Sequence, residues 1–439
     1  MFFVFLLLLL NEVSPLPNGI SSFQFPKIKF IGISSNDVPD NVPKRRIEKG
    51  EGDDLKQSLE KHCSIKEDLS GDPPRYSLRW EPYLQESYDV ANVLFQEIVQ
   101  VARARFHCYS DSENLDTQIT SPRVISCPSM SRLNDLESIA TVLRSDKCKI
   151  LLGLDDVVVE LYPSSPSPYL RLSFSTLGNA QKTSLAETEN LQTISCEAAI
   201  AATESWVDNF LGKYNLCPYT SSVSKAAVGL TSVGIPVGHV HIVAGSTNNV
   251  DDRKKSSSAY DVLRAAELVS EFWSETVTLL KSPESDWATS LVVFPDFDND
   301  FDAFVDVCDN VIQPIILATS STDYIGRAWF HPRYDADTVG HTSVVPGHAV
   351  PHKMVQQFID KAHDSKISRG NKMTPTELSS ANNKVRMTPH ATINILRRSQ
   401  LTAATEYEKG LGEKKPTPNS IYVRNALKLN EILKGDENK

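Results

Sequence analysis

Between residues 237 and 330 the chain alternates short β-rich runs with longer amphipathic segments, and no other feature restricts its fold as strongly. A strand over 237–244 precedes a helix over 258–280, where Leu263, Ala266, Val269, Phe272, Trp273, Val277 and Leu280 recur at spacings of three and four. Serines at 256 to 258 offer N-caps for it. A strand over 290–294, a helix over 301–312 and a strand over 324–330 complete a β-α-β-α-β run. Strands joined through helices of this length require crossover connections, so the spacing predicts a partly parallel sheet and an α/β (or α+β) fold class. Parallel strands end on a common edge, where open α/β sheets collect ligands. The residues just beyond those ends are Ala244-Gly245, Pro295-Asp296 and His331-Pro332. His331 is thereby a candidate general acid or base, and equally a structural histidine.

Flanking helices are expected over 191–214, 351–362, 393–408 and 421–433. With the central run they form one domain over residues 186–439. Upstream, helices over 86–106 and 131–144 are followed by three β-rich runs at 149–153, 155–163 and 169–175, which read as a small α+β domain over residues 55–180. Residues 23–54 are rich in Pro, Asn, Ser and charge and read as a linker. Residues 1–22 read as a targeting leader: the uninterrupted apolar run over 2–10 fits the h-region of a signal peptide and is far short of the ~20 residues a spanning helix needs. Small residues at Gly19, Ser21 and Ser22 precede Phe23, a step that resembles the bipartite plastid-targeting leaders of algae with secondary plastids. Entry into the secretory pathway is therefore expected, with a secreted or plastid destination.

A formal net charge of -10 leaves no global electrostatic footprint for nucleic acid. The seven cysteines show no C-x-x-C spacing, so neither a zinc ribbon nor a thioredoxin-like motif is present. The chain also lacks a GxGxxG fingerprint, a Walker A loop and a GxSxG elbow, which removes the commonest nucleotide and hydrolase readings. His348 and His352 are four apart, but Pro346, Gly347 and Pro351 oppose a helix there, and no metal site is assigned. His239 and His241 alternate to one strand face. Cys217, in Asn215-Leu216-Cys217-Pro218, would be a nucleophile if a cation lowered its pKa, and otherwise a small buried apolar residue.

Several fragments together resemble the bacterial-type domain of unknown function 1415 family, from about residue 190 to 434. They are Trp206 with Asn215-Leu216-Cys217-Pro218, then Phe330-His331-Pro332-Arg333-Tyr334, then Thr388-Pro389 through Ile395-Leu396-Arg397-Arg398-Ser399, then Arg424-Asn425. The resemblance implies histidines at positions occupied here by Phe294 and Asn394, and an arginine one position from Arg386. It implies no reaction and no cofactor.

The residues kept in common suggest an enzyme-like domain for a small anionic metabolite. In that reading His331 and Cys217 are catalytic, and Asn215, Tyr334, Arg397, Ser399, Arg424 and Asn425 bind the ligand, because Arg pairs bidentately with carboxylate or phosphate. Arg397, Arg424 and Asn425 serve equally as caps on helix ends. The alternative function is a non-catalytic binding or scaffold module that has lost an ancestral site.

Overall fold

The computed structural model describes residues 78–80, 86–108, 123–126, 133–161, 168–174, 194–217, 219–245, 258–335, 374–410, 428–430 and 432. The expected leader, the linker, the 351–362 helix, His341, His348, His352, Arg424 and Asn425 lie outside them.

Two four-stranded sheets are present among the described residues. The first comprises β1 (Leu78–Trp80), β2 (Arg123–Ser126), β3 (Leu154–Leu161) and β4 (Pro168–Phe174) in the order β1-β2-β4-β3. Helices α1 (Ser87–Cys108), α2 (Leu133–Leu143) and α3 (Asp146–Leu152) accompany it. The β-rich run expected at 149–153 is thus helical. Ser145 caps α3 by accepting from the Cys148 amide, and Gly153 ends it in the left-handed region at φ 62, so local capping decides a segment too short for its periodicity to do so.

Helix α4 (Cys196–Trp206) follows and widens into a π-helical segment, Val207–Gly212. A short hairpin, β5 (Thr220–Ser222) and β6 (Lys225–Ala226), leads to the second sheet. That sheet contains β7 (His239–Ala244), β8 (Trp287–Val293), β9 (Ile325–Phe330) and β10 (Thr392–Arg397) in the order β7-β8-β10-β9. β7 and β8 are parallel, joined by α5 (Ser258–Lys281). α6 (Phe301–Val307), a π-helical segment Cys308–Ile312 and α7 (Gln313–Ala318) carry the chain from β8 to β9. β10 inserts between β8 and β9 and is antiparallel to both, so β7, β8 and β9 point the same way.

The expected β-α-β-α-β run is therefore present, with one correction. Residues 393–397, expected as the start of a helix, belong to β10 (Thr392–Arg397), and α9 (Arg398–Gly410) begins only afterwards. Ile393 and Ile395 point into the core beside α5, while Leu396 packs with Leu401 on the opposite face. Alternation of this kind is strand geometry. A further helix, α8 (Pro375–Lys384), opens on a capping box between Thr374 and Glu377.

Helix α5 is buried around most of its circumference, Arg264, Glu267, Ser270, Glu275 and Thr276 included. It packs against α1, and Phe95 and Ile98 of α1 share one core with Phe272 and Trp273 of α5 and Ile393 of β10. The stretches read as separate domains in the sequence thus contribute to one hydrophobic core. The strand start at Gly238 depends on a close approach: a Cβ there would overlap the Glu284 carbonyl oxygen and come within 2.9 Å of the Ala288 amide nitrogen. Gly238→Ala should lower stability by about 1–3 kcal/mol through overpacking, measurable as a shifted urea midpoint at unchanged m-value.

Candidate functional site

The common direction of β7, β8 and β9 brings Gly245, Pro295 and His331 to one edge, where β10 begins. His331 is fully buried there. Its Nδ1 accepts from the Arg333 amide at 3.0 Å, which fixes the ring proton on Nε2, and Nε2 donates to the Phe297 carbonyl at 2.8 Å. Burial lowers its pKa below the ordinary 6.5, and a proton on Nδ1 would also cost the Arg333 bond. Nε2 ties the loop after β9 to the loop after β8, and Nδ1 is bonded within its own loop. In this arrangement both ring nitrogens of His331, the expected general acid or base, are bonded within the protein.

Tyr334 lies close by, with only 3% of its surface exposed and its hydroxyl hydrogen-bonded to no described group. The Arg386 guanidinium sits 5.3 Å from its ring and 5.6 Å from that of Phe330, and donates to the Trp329 carbonyl at 2.9 Å. Burial raises the Tyr334 pKa, against the opposing pull of Arg386, so the phenol stays protonated.

A second histidine completes this edge. His390 Nδ1 is 2.7 Å from Asp298 Oδ2, and Asp298 Oδ1 accepts from the Ala391 amide at 2.8 Å. The Thr388 and Thr392 hydroxyls both donate to the His390 carbonyl, at 2.6 and 2.7 Å, and fix its backbone. Asp300, two residues beyond Asp298, caps α6 through the Ala303 amide and bonds Arg264 Nη2 at 2.5 Å. The acidic run after β8 is therefore largely compensated internally.

Other sequence candidates lie elsewhere. Arg397 pairs in register with Ile325, whereas Thr392 pairs with Phe330, so β10 separates Arg397 from the His331 edge by ~17 Å. Its guanidinium donates to three backbone carbonyls, Trp287 at 3.1 Å, Leu279 at 2.5 Å and Ser282 at 2.6 Å. These close the end of α5 and the turn into β8, the arrangement of the capping alternative. Ser399, next to it, donates to Glu284 at 2.5 Å. Asn215 is exposed with φ 48, and its amide and that of Leu216 bond Gly212 and Leu211 carbonyls at 2.9 Å each. Asparagine is one of the few side chains that tolerates this backbone, so its place is explained by ending the π-helical segment. Burial raises the Cys217 pKa above the ordinary 9.0, opposed by hydrogen bonds from the Tyr219 amide and Thr220. A protonated thiol is a poor nucleophile, and among the described residues no cation lowers the Cys217 pKa.

The described edge thus unites His331 and Tyr334 with three residues not chosen from the sequence, Asp298, Arg386 and His390. Among the described residues no group of three or more His, Cys, Asp or Glu side chains is arranged to hold a metal ion, and no helix is long and apolar enough to cross a membrane.

Fold and site together define a mixed-sheet α/β (or α+β) domain with a polar cluster where its like-directed strands end. Residues 246–343, which contain α5 through β9 and both His331 and Tyr334, match the model of a family described as protein of unknown function (DUF1415). No curated protein and no solved structure matches the chain.

Proposed function

We propose that the second sheet carries an enzyme-like site for a small anionic metabolite, located at the edge where β7, β8 and β9 end. The observation that carries this reading is the Tyr334 hydroxyl, a buried donor bonded to no described group, on a ring that carries the Arg386 guanidinium over its face at 5.3 Å. Buried polar atoms are ordinarily satisfied, and a donor beside a cation suits a carboxylate or phosphate oxygen. Asp298 is compensated by an amide and an imidazole, Asp300 by Arg264, and Asp335, the carboxylate acting on Tyr334, accepts from Asn383 Nδ2 at 3.0 Å.

Thermal shift with orthophosphate and a panel of small carboxylates tests it. An anion that raises the melting temperature of the wild type should bind Tyr334→Phe about tenfold more weakly, the worth of one hydrogen bond to a charged group. The variant itself should stay within about 1 kcal/mol of the wild type, because the lost hydroxyl had no bond to break. No response to any anion, or equal response in the variant, would remove this reading.

The scaffold alternative is favoured by two positions where the family resemblance implies histidine. Phe294 is sealed in the core with its ring where a Gly245 Cβ would stand, and Asn394 accepts from Thr289 Oγ1 at 2.6 Å inside the sheet. Both places are filled by packing or by an internal bond.

A further inference from the structure

We propose that His390 is the catalytic residue of this edge, with Asp298 as its positioning residue; the proposal rests on the ligand site just described. Asp298 Oδ2 lies 2.7 Å from Nδ1, and a carboxylate only accepts, so Nδ1 carries a ring proton, and in the neutral ring the lone pair is on Nε2. No described group bonds Nε2, and it is not among the buried side-chain nitrogens cut off from solvent. The other Asp298 oxygen is held by the Ala391 amide, and two threonine hydroxyls hold the His390 carbonyl, so the ring has little freedom to turn away.

This is the arrangement of a general base: a carboxylate orients the imidazole and stabilises the imidazolium, and the far nitrogen meets the substrate. In the step assigned here Nε2 takes a proton from an O–H or C–H of the bound anion, the electron pair of that bond stays on the substrate atom, and the imidazolium returns the proton to the product. The contrast with His331 is chemical. His331 is locked as the Nε2–H form with both nitrogens occupied, whereas His390 is locked as the Nδ1–H form with one nitrogen open.

Long-range proton–nitrogen correlation spectra of the ¹⁵N-labelled full chain, with His390→Gln to assign its signals, read the two tautomers directly. His390 should be Nδ1–H and His331 Nε2–H. Acylation by diethyl pyrocarbonate, followed by peptide mass spectrometry, should modify His390 and spare His331, and Asp298→Asn should slow the His390 reaction by about tenfold while releasing its tautomer. An Nε2–H form at His390, or a tautomer and rate unmoved by Asp298→Asn, would overturn the proposal. Orthophosphate serves as the probe that separates the two readings. Binding that protects His390 from acylation supports both. Binding without protection places the anion elsewhere and defeats the catalytic assignment alone. Neither binding nor protection, with the tautomer and reactivity as stated, removes the anion site and leaves the dyad standing.

Discussion

Replacing Arg397 with leucine should cost about 3–5 kcal/mol of folding stability, the largest loss expected of any single residue considered above. Leucine fills much of the buried volume but leaves the carbonyls of Leu279, Ser282 and Trp287 without the donors that now satisfy them. Burial lowers the Arg397 pKa, which shows that the charge is held at a desolvation cost offset by those bonds. Urea unfolding of the full chain measures the loss, and amide exchange should rise first in the turn between α5 and β8. A change within about 1 kcal/mol would mean that the guanidinium is not structurally engaged and would return Arg397 to the ligand-binding candidates.

His331→Ala should cost about 3 kcal/mol, from the cavity left under Phe301 and Phe304 and from the stranded Phe297 carbonyl and Arg333 amide. The effect should depend on pH. Because burial holds the folded pKa below 6.5, the neutral ring stabilises the fold fully above that value, and the contribution is lost as pH falls through the lower folded pKa. The gap between wild type and variant should therefore narrow on acidification below about 6.5. Asp309 acts in the opposite sense: burial raises its pKa to about 6, so protonation there favours the folded state in both proteins and cancels from the difference. A gap that widened at low pH would contradict the neutral, doubly bonded His331.

The parts of the fold legible in the sequence are those whose burial repeats along one segment. Leu263, Phe272 and Trp273 recur at helical spacing and do face the core, and the strands on either side follow with shifts of a few residues at their ends. β10 was not legible because 392–397 runs directly into α9, and only its insertion between β8 and β9 decides that the first six residues pleat. The π-helical widening at Cys308–Ile312 likewise interrupts a helix whose apolar pattern is continuous. For the site, position was legible and partnership was not. The carboxyl edge follows from strand order, but Asp298 and His390 are 92 residues apart, and Arg397 lies 118 residues from the Leu279 carbonyl it caps. Arg397 and Ser399 resembled ligand residues because a guanidinium reads the same in sequence whether it meets an anion or a helix end. His390 left a fainter trace, a histidine beside Thr388-Pro389 whose carboxylate partner could not be named without the fold.

In the proposed function the ligand binds at the edge holding Tyr334, Asp298 and His390, and not at the opposite edge holding Arg397 and Ser399. Amide chemical-shift mapping on the labelled full chain, titrated with orthophosphate and the small-carboxylate panel, tests that most directly. Saturable shifts concentrated at Gly245, at residues 294–300 and 331–335, and at residues 388–391 are the predicted result. Shifts concentrated at residues 282–287 and 397–399, or no saturable shift at all, would contradict it.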